Sequence, residues 1–165
     1  KGNDMDKYTV IGKDIPRVDG REKATGAAIY TDDLKLPGML HGKLLRSPLP
    51  HARIRSIDVS KAKRLPGVKC VITGEDTPKI KYGNWRLFPA TQDEYPLAVD
   101  KVRFIGDEVA AVAAVDSDTA TEALALIDVE YEELPGVFDP FEAMKPDAPL
   151  VHEIDARGRP LRPSP

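Results

Sequence analysis

Three histidines, one cysteine and adjacent acidic pairs such as Asp32-Asp33 and Glu132-Glu133 are the residues of this 165-residue chain whose types most readily do chemistry, and their spacing gives none of them an obvious partner. His41, His51 and His152 are scattered, without the His-x-x-x-His spacing that sets two imidazoles on one helical face for a metal. Cys70 stands alone, so the chain has no internal disulfide and cannot hold an iron-sulfur cluster by several thiolates. It lies within Val68-Lys69-Cys70-Val71-Ile72, a strand-like apolar run, and is expected to be a buried, unreactive core residue. Asp32-Asp33 could offer two carboxylates to a cation, but no third ligand stands nearby, so the pair reads as a turn beside a strand end. Glu132-Glu133 reads as a solvated strand edge. Gly-x-Gly-x-x-Gly, Gly-x-x-x-x-Gly-Lys and Gly-x-Ser-x-Gly do not occur. No catalytic, cofactor-binding or metal-binding residue is therefore assigned.

The elements that would position these residues form one ordinary domain. Hydrophobic residues make up 41% of the chain, enough for a core. The longest apolar run, Val109 to Val115, is far shorter than the roughly 20 residues of a spanning helix. A net charge of -3 with both signs interspersed gives no basic face for nucleic acid. With no charged-then-apolar leader ahead of the globular pattern, the expectation is a soluble, cytoplasmic protein that engages neither membrane nor nucleic acid.

Residues 1–10 read as a flexible start, 11–153 as the folded domain and 154–165 as a basic, proline-rich tail. Ile11 to Gly26 reads as an extended arm with turns, Gly20 and Gly26 supplying positive φ. Ala27 to Tyr30, Leu40 to Leu45, Arg53 to Val59 and Val68 to Thr73 have strand character. Ser60 is placed to cap a short helix over Lys61 to Leu65, which Pro66-Gly67 stops. From Gly74 to Glu94 periodicity disappears, and Tyr82, Trp85 and Phe88 fall in this long loop. Strands resume at Val102 to Ile105 and Glu108 to Val115. Asp116-Ser117-Asp118 opens a helix that carries Ala120, Ala123, Leu124 and Ile127 on one face. Val129 to Glu133 is a further strand, and Asp139-Pro140 opens a last short helix to Met144. The class is α+β, and Glu108 to Glu133 is expected to be a crossover that sets two strands parallel. Arg46, Arg53 and Arg103 are each able to pair bidentately with a carboxylate.

A set of short motifs adds a further constraint. Gly12-x-x-x-x-Arg17-x-Asp19-Gly20-x-x-Lys23-x-Thr25-Gly26-x-Ala28-x-Tyr30-x-x-Asp33 is followed by Gly38-Met39-Leu40-His41-Gly42 and Arg46-Ser47-Pro48-x-x-His51-Ala52-Arg53-Ile54. Pro66-Gly67-Val68, Thr73-Gly74-Glu75-Asp76 and Tyr95-Pro96-Leu97-Ala98 come next. Lys101-Val102-Arg103-Phe104-x-Gly106-Asp107-x-Val109-Ala110 and Val129-x-Tyr131-x-x-Leu134-Pro135 close the series. In this order they resemble the N-terminal α/β-hammerhead portion of the molybdenum-cofactor subunit of the xanthine dehydrogenase/aldehyde oxidase family, from about Ile11 to Glu153. Tyr82-Gly83, Gln92 to Ala98 and Ala123 to Ile127 look most similar to 4-hydroxybenzoyl-CoA reductase-type large subunits.

The resemblance implies an α/β-hammerhead, a mixed sheet with two main helices, packed beside a molybdenum-cofactor-binding domain of the same enzyme. It implies molybdopterin in the complete enzyme, with iron-sulfur clusters and, as an option, FAD on other domains or subunits, and none of these on this chain. It further implies that the loop before Glu94-Tyr95-Pro96-Leu97-Ala98 brings apolar side chains to the substrate funnel, with Trp85, Leu87 and Phe88 as the candidates. Residues Ile154 to Pro165 leave the pattern, as a fragment, a separate gene product or an artificial chain end would. The alternative expectation is a free-standing protein-binding or assembly module with the same fold.

Overall fold

The computed structural model describes residues 8–83 and 93–154, and every strand pairing among them is antiparallel. The residues up to Pro37 form one compact unit and those from Gly38 another. In the first unit, helix α1 spans Gly20–Thr25. It ends on Gly26 in the left-handed conformation, as the arm's turn requires, whereas Gly20 is simply its first residue. The extended arm expected there is thus partly helical. Ala27 to Tyr30 is not a strand, and a turn of 3-10 helix follows at Thr31–Asp33.

The second unit carries strands β1 (His41–Arg46), β2 (Ala52–Asp58), β3 (Val68–Thr73), β4 (Lys101–Val102), β5 (Glu108–Ala114) and β6 (Asp128–Glu133). Its helices are α2 (Ser60–Arg64), α3 (Ser117–Ala125) and α4 (Pro140–Ala143). One sheet has the order β1-β5-β3 and the other β4-β2-β6. The parallel pair expected from Glu108 to Glu133 does not form, because β5 and β6 belong to different sheets. The helix between them carries the chain from one sheet to the other.

Strand β5 explains why Val109 to Val115 is apolar almost without interruption. Ala110, Val112 and Ala114 face a core completed by Val71, Ala62 of α2, Ala120 and Ala123 of α3, and Ile127 just past its end. Val109, one position out of phase, enters a second core with Ala52, Ala98 and Val102. From Ala110 the burial alternates, Ala111 and Ala113 being only half-buried, so small alanines on the outer face keep the run apolar without burying it fully. Small alanines on strand and helix let α3 lie close, and each fully buried valine contributes roughly 1.5–3 kcal/mol. The face expected for α3 is the buried one, with Leu124 partly buried against the same core.

Ile57 and Val129, opposed in the β2–β6 register, pack against both cores. A register shift between Ile54 and Ser56 lets Ile54 and Ile57, three residues apart, both point inward. Asp116 caps α3, its carboxylate accepting from the Thr119 amide at 2.7 Å. At α2 Ser60, expected as the cap, is instead the first helical residue; the N-cap position falls on Val59 without a side-chain bond, and the Ser60 amide donates to Asp58 Oδ1 at 2.8 Å. Gly74 is required by close approach, since a Cβ there would lie 2.3 Å from the Ala98 carbonyl oxygen.

Candidate functional site

Three of the short motifs meet as mechanical clasps. The Ser47 amide donates to the Asp107 carbonyl at 2.8 Å, and the Gly106 amide donates to the Ser47 carbonyl at 2.8 Å. Arg46 reinforces the joint, its Nη1 donating to Gly106 O at 2.8 Å and to Glu108 Oε1 at 2.6 Å. A second clasp joins His51 to Leu134-Pro135: the Leu134 amide donates to His51 O at 2.9 Å, and His51 Nδ1 lies 2.7 Å from Pro135 O. A carbonyl can only accept, so Nδ1 carries the hydrogen and Nε2 of the neutral ring is an acceptor. His51 is buried at 4% exposure and serves as a structural pin, in keeping with its lack of metal-ligand spacing.

These clasps hold the turn that forms the floor of a polar recess. Its lining includes Asp93, Tyr95, Lys101, Arg103, Asp107 and His152. Tyr82 and Glu94 pair backbone to backbone, N to O at 2.9 and 3.3 Å, and so pin together the two ends of the segment between them at its rim. Lys81 Nζ sits 5.6 Å from the centre of the Tyr95 ring, a cation–π distance. Lys101 is 3% exposed, and its Nζ donates to Glu153 Oε1 at 2.5 Å. Arg103 is anchored three ways. Its amide donates to Asp107 Oδ2 at 2.8 Å, Nη1 to Lys101 O at 3.0 Å, and Nη2 to Asp100 Oδ1 at 3.4 Å. His152 Nε2 lies 3.6 Å from Asp93 Oδ2.

Burial shapes the charges of this cluster. Desolvation pushes the Asp107 carboxyl above the usual carboxylate range, against the opposing hydrogen bond from the Arg103 amide. Desolvation also pulls the His152 imidazole below its ordinary value, and the nearby Arg103 guanidinium adds to the effect. Burial disfavours the Glu153 carboxylate, but its hydrogen bond and attraction to Lys101 outweigh that and leave it lowered. An acid shifted up and a base shifted down, lining one recess, form a pattern met at functional sites. The space, however, is about 70 Å³. That admits about two waters at ~30 Å³ each, against the ~300–1,000 Å³ of a small-molecule site. The cluster is built to hold chain in place.

Trp85, Leu87 and Phe88, the funnel candidates, lie outside the described residues. Cys70 is exposed, which corrects its expected burial. The register shifts between Val68 and Cys70 on the edge strand β3, so Val71 takes the core-facing position and Cys70 faces away. The arginines expected to grip carboxylates bidentately do so by single nitrogens: Arg46 on Glu108, Arg103 on Asp100, and Arg53 with Arg55 sharing Glu132. The fork geometry occurs at Arg17 instead, whose Nε and Nη2 reach the two oxygens of Asp19 at 3.2 and 3.3 Å. Asp33 of the acidic pair accepts from the Tyr30 amide at 2.9 Å, a turn role as expected. Lys101, Asp93 and Asp107 were not visible as site residues from spacing. The signal available was a cationic pair alternating around Val102, between Asp100 and Asp107.

The family model described as "Aldehyde oxidase and xanthine dehydrogenase, a/b hammerhead domain" matches residues 25–135. The chain belongs to this family. It is 45% identical over 150 residues to the carbon monoxide dehydrogenase large chain of Afipia carboxidovorans, covering 90% of this chain and 18% of that one. It is 42% identical over 145 residues to the nicotinate dehydrogenase large molybdopterin subunit of Eubacterium barkeri, covering 88% and 33%. Among solved structures, the aldehyde oxidoreductase of Desulfovibrio desulfuricans superposes with a TM-score of 0.79 at 31% identity, covering 90% of this chain and 17% of that one. The hammerhead fold is thereby established, in the form of two small sheets flanked by few helices. The chain spans a third or less of each of these relatives.

The recess does not fit a molybdenum centre. Its buried Lys101 and half-buried Arg103 already hold Glu153, Asp100 and a backbone carbonyl, and among the described residues no group of three His, Cys, Asp or Glu converges as a metal site. No step of metal chemistry is assigned to these side chains. Among the described residues no helix is long and apolar enough to cross a membrane.

Proposed function

We propose that this chain is the hammerhead portion of the molybdenum-cofactor subunit of a xanthine dehydrogenase-type oxidoreductase, and that it frames the substrate's approach and transfers neither proton nor hydride. The observation that carries the reading is the match over residues 25–135 in a chain that spans only 18% of a carbon monoxide dehydrogenase large chain. The name of the nicotinate enzyme's large molybdopterin subunit supports placing molybdopterin in the complete enzyme, outside this chain. Iron-sulfur and optional flavin partners, and a cytoplasmic setting, belong to the same proposal.

In this reading the recess is a foundation. The Tyr82–Glu94 backbone pairing and His152 beside Asp93 hold the flanks of the 84–92 segment, and Trp85, Leu87 and Phe88 supply the apolar wall that admits and orients a planar substrate. The likeness of Tyr82-Gly83 and Gln92 to Ala98 to 4-hydroxybenzoyl-CoA reductase-type subunits supports an aromatic substrate. The test is the assembled enzyme, purified through this chain, with Phe88→Ala beside the unaltered protein. Michaelis constants and substrate preference are expected to shift several-fold while molybdenum content holds. Unchanged kinetics across several aromatic substrates would remove the loop from the site. Failure of the chain to co-purify with a molybdenum-containing polypeptide would favour a free-standing assembly module.

A further inference from the structure

The chain beyond α4 returns to the turn between β4 and β5, where Val151 to Ile154 borders the same hollows as Arg103. Two side chains fasten this strap. Lys101 Nζ, on a side chain 3% exposed, donates to Glu153 Oε1 at 2.5 Å. His152 lies between two hollows, of about 70 and about 200 Å³, which also share Tyr95 and Arg103. Its Nε2 is 3.6 Å from Asp93 Oδ2, while its Nδ1 is buried and meets no hydrogen-bond partner among the described residues.

A neutral imidazole fits this seat. With its hydrogen on Nε2, toward the Asp93 carboxylate, Nδ1 keeps a bare lone pair and has nothing to donate. An imidazolium does not fit, because both ring nitrogens then carry hydrogens. Nδ1 would become a buried, charged donor without an acceptor, the costliest way to leave a polar group. The surroundings act in the same direction. Desolvation and the Arg103 guanidinium oppose the charged ring, Asp93 favours it, and Lys81 and Lys101 add to the opposition, which leaves the imidazole below its ordinary value. The remaining charges of the two hollows are engaged elsewhere. Asp107 accepts from the Arg103 amide, Asp100 from Arg103 Nη2 and Glu153 from Lys101, while Lys79 donates to Glu75. Glu94 stands at the rim, its backbone paired with Tyr82.

We infer that His152 is an acid-released fastener: when its ring takes up a proton it leaves its seat, and the strap from Val151 to Ile154 is then held through Glu153 alone. The release is local, because the buried members of both cores are aliphatic and carry no group that titrates. The second fastener outlasts the first. Burial disfavours the Glu153 carboxylate, but its bond with Lys101 leaves it lowered from 4.5, so it stays charged after His152 has titrated. In the interval between the two, Asp93 loses its partner on the strap and the recess opens to water, while both sheets stay intact.

The test follows the His152 ring of the purified chain by nuclear magnetic resonance, with a soluble paramagnetic agent reporting solvent access. The pH is taken from about 7.5 to about 5, the range in which histidine charge changes. The ring should titrate with a midpoint below 6.5, and its paramagnetic relaxation should rise several-fold in step. Amides of Asp93 and Arg103 should shift with the same midpoint while those of β5 and α3 hold. His152→Gln, which takes up no proton in this range, should abolish the step at Asp93 and Arg103. A step that persists in that variant belongs to another group, such as His51, and overturns the inference. A ring that stays neutral throughout, or titrates in place without gaining solvent access, overturns it as well. If β5 amides shift together with the ring, acid unfolds the body as a whole and there is no local fastener.

Discussion

Residues 8–37 and the body from Gly38 onward keep their shape by opposite means. No residue of α1 is buried, and Val18, Ile29 and Leu36 stand exposed around it. What orders this stretch is charge: Asp19 accepts from both Arg17 nitrogens and pairs with Lys23 at 2.6 Å. Those contacts, Lys23 first and Arg17 second, hold the Asp19 carboxyl below its ordinary range. The body instead buries two cores that share Ile57 and Val129. A six-residue helix is too short to persist by itself in water, and exposed ion pairs add little. Local bonds can therefore shape the arm without making it cooperative, while the body unfolds as a unit.

The widest gap between the two regions should come from Val112→Asp, which places a carboxylate where the side chain is 2% exposed. Burying an unpaired charge is among the most destabilising changes known, and loss of the cooperative melt is the expected result. Leu124→Ala grades the same core. Its side chain is only partly buried, so the cost should fall at the low end of the Leu→Ala range, about 2 kcal/mol. Circular dichroism melts of both variants check these values, and an unchanged midpoint for either would contradict the assigned core.

A moderate effect on the body's melt should appear on acidification. His152 is pulled below its ordinary value of 6.5, so the unfolded chain takes up that proton more readily, and stability should fall as pH drops below about 6.5. Glu153 is lowered from 4.5, so its stabilisation is present above that value and is lost as pH falls below it. Asp107, raised from 3.8, runs the other way. The folded state takes its proton first, which offsets part of the loss. His152→Gln should flatten the upper limb of the midpoint-against-pH curve and leave the lower one. A curve that the substitution does not alter would show that His152 is not desolvated.

The smallest effect should come from Asp19→Ala. It removes both ion pairs of the arm, yet the midpoint of the body's melt is expected to stay in place. Amide exchange in α1 should already be fast and become faster, with β5 amides unaffected. A lowered global midpoint would mean that the arm is part of the cooperative unit after all.

Much of the fold was legible from local spacing. The Ala120, Ala123, Leu124 and Ile127 face, the strand at Val68 to Thr73, the Asp116 and Asp139 caps and the turn role of Asp33 all rest on chemistry within a few residues. Such interactions are fixed by neighbours along the chain and so survive being read from it. The motif order also carried the family, because a series of individually weak signals spans nearly the whole length.

Tertiary structure decided what local spacing could not. Cys70 lies in an apolar run but faces outward, because a register shift on an edge strand reverses which side chains meet the core. The crossover from Glu108 to Glu133 joins two sheets, since Val109 and Ala110, on opposite faces of β5, pack into two different cores. His51 became a pin, and Arg46 a clamp, through partners 84 and 60 residues away. The recess around Lys101, Arg103 and His152 exists only because those clasps close. Side-chain type and near-neighbour period are properties of the chain, whereas burial, register and long-range partners come into being when two sheets pack.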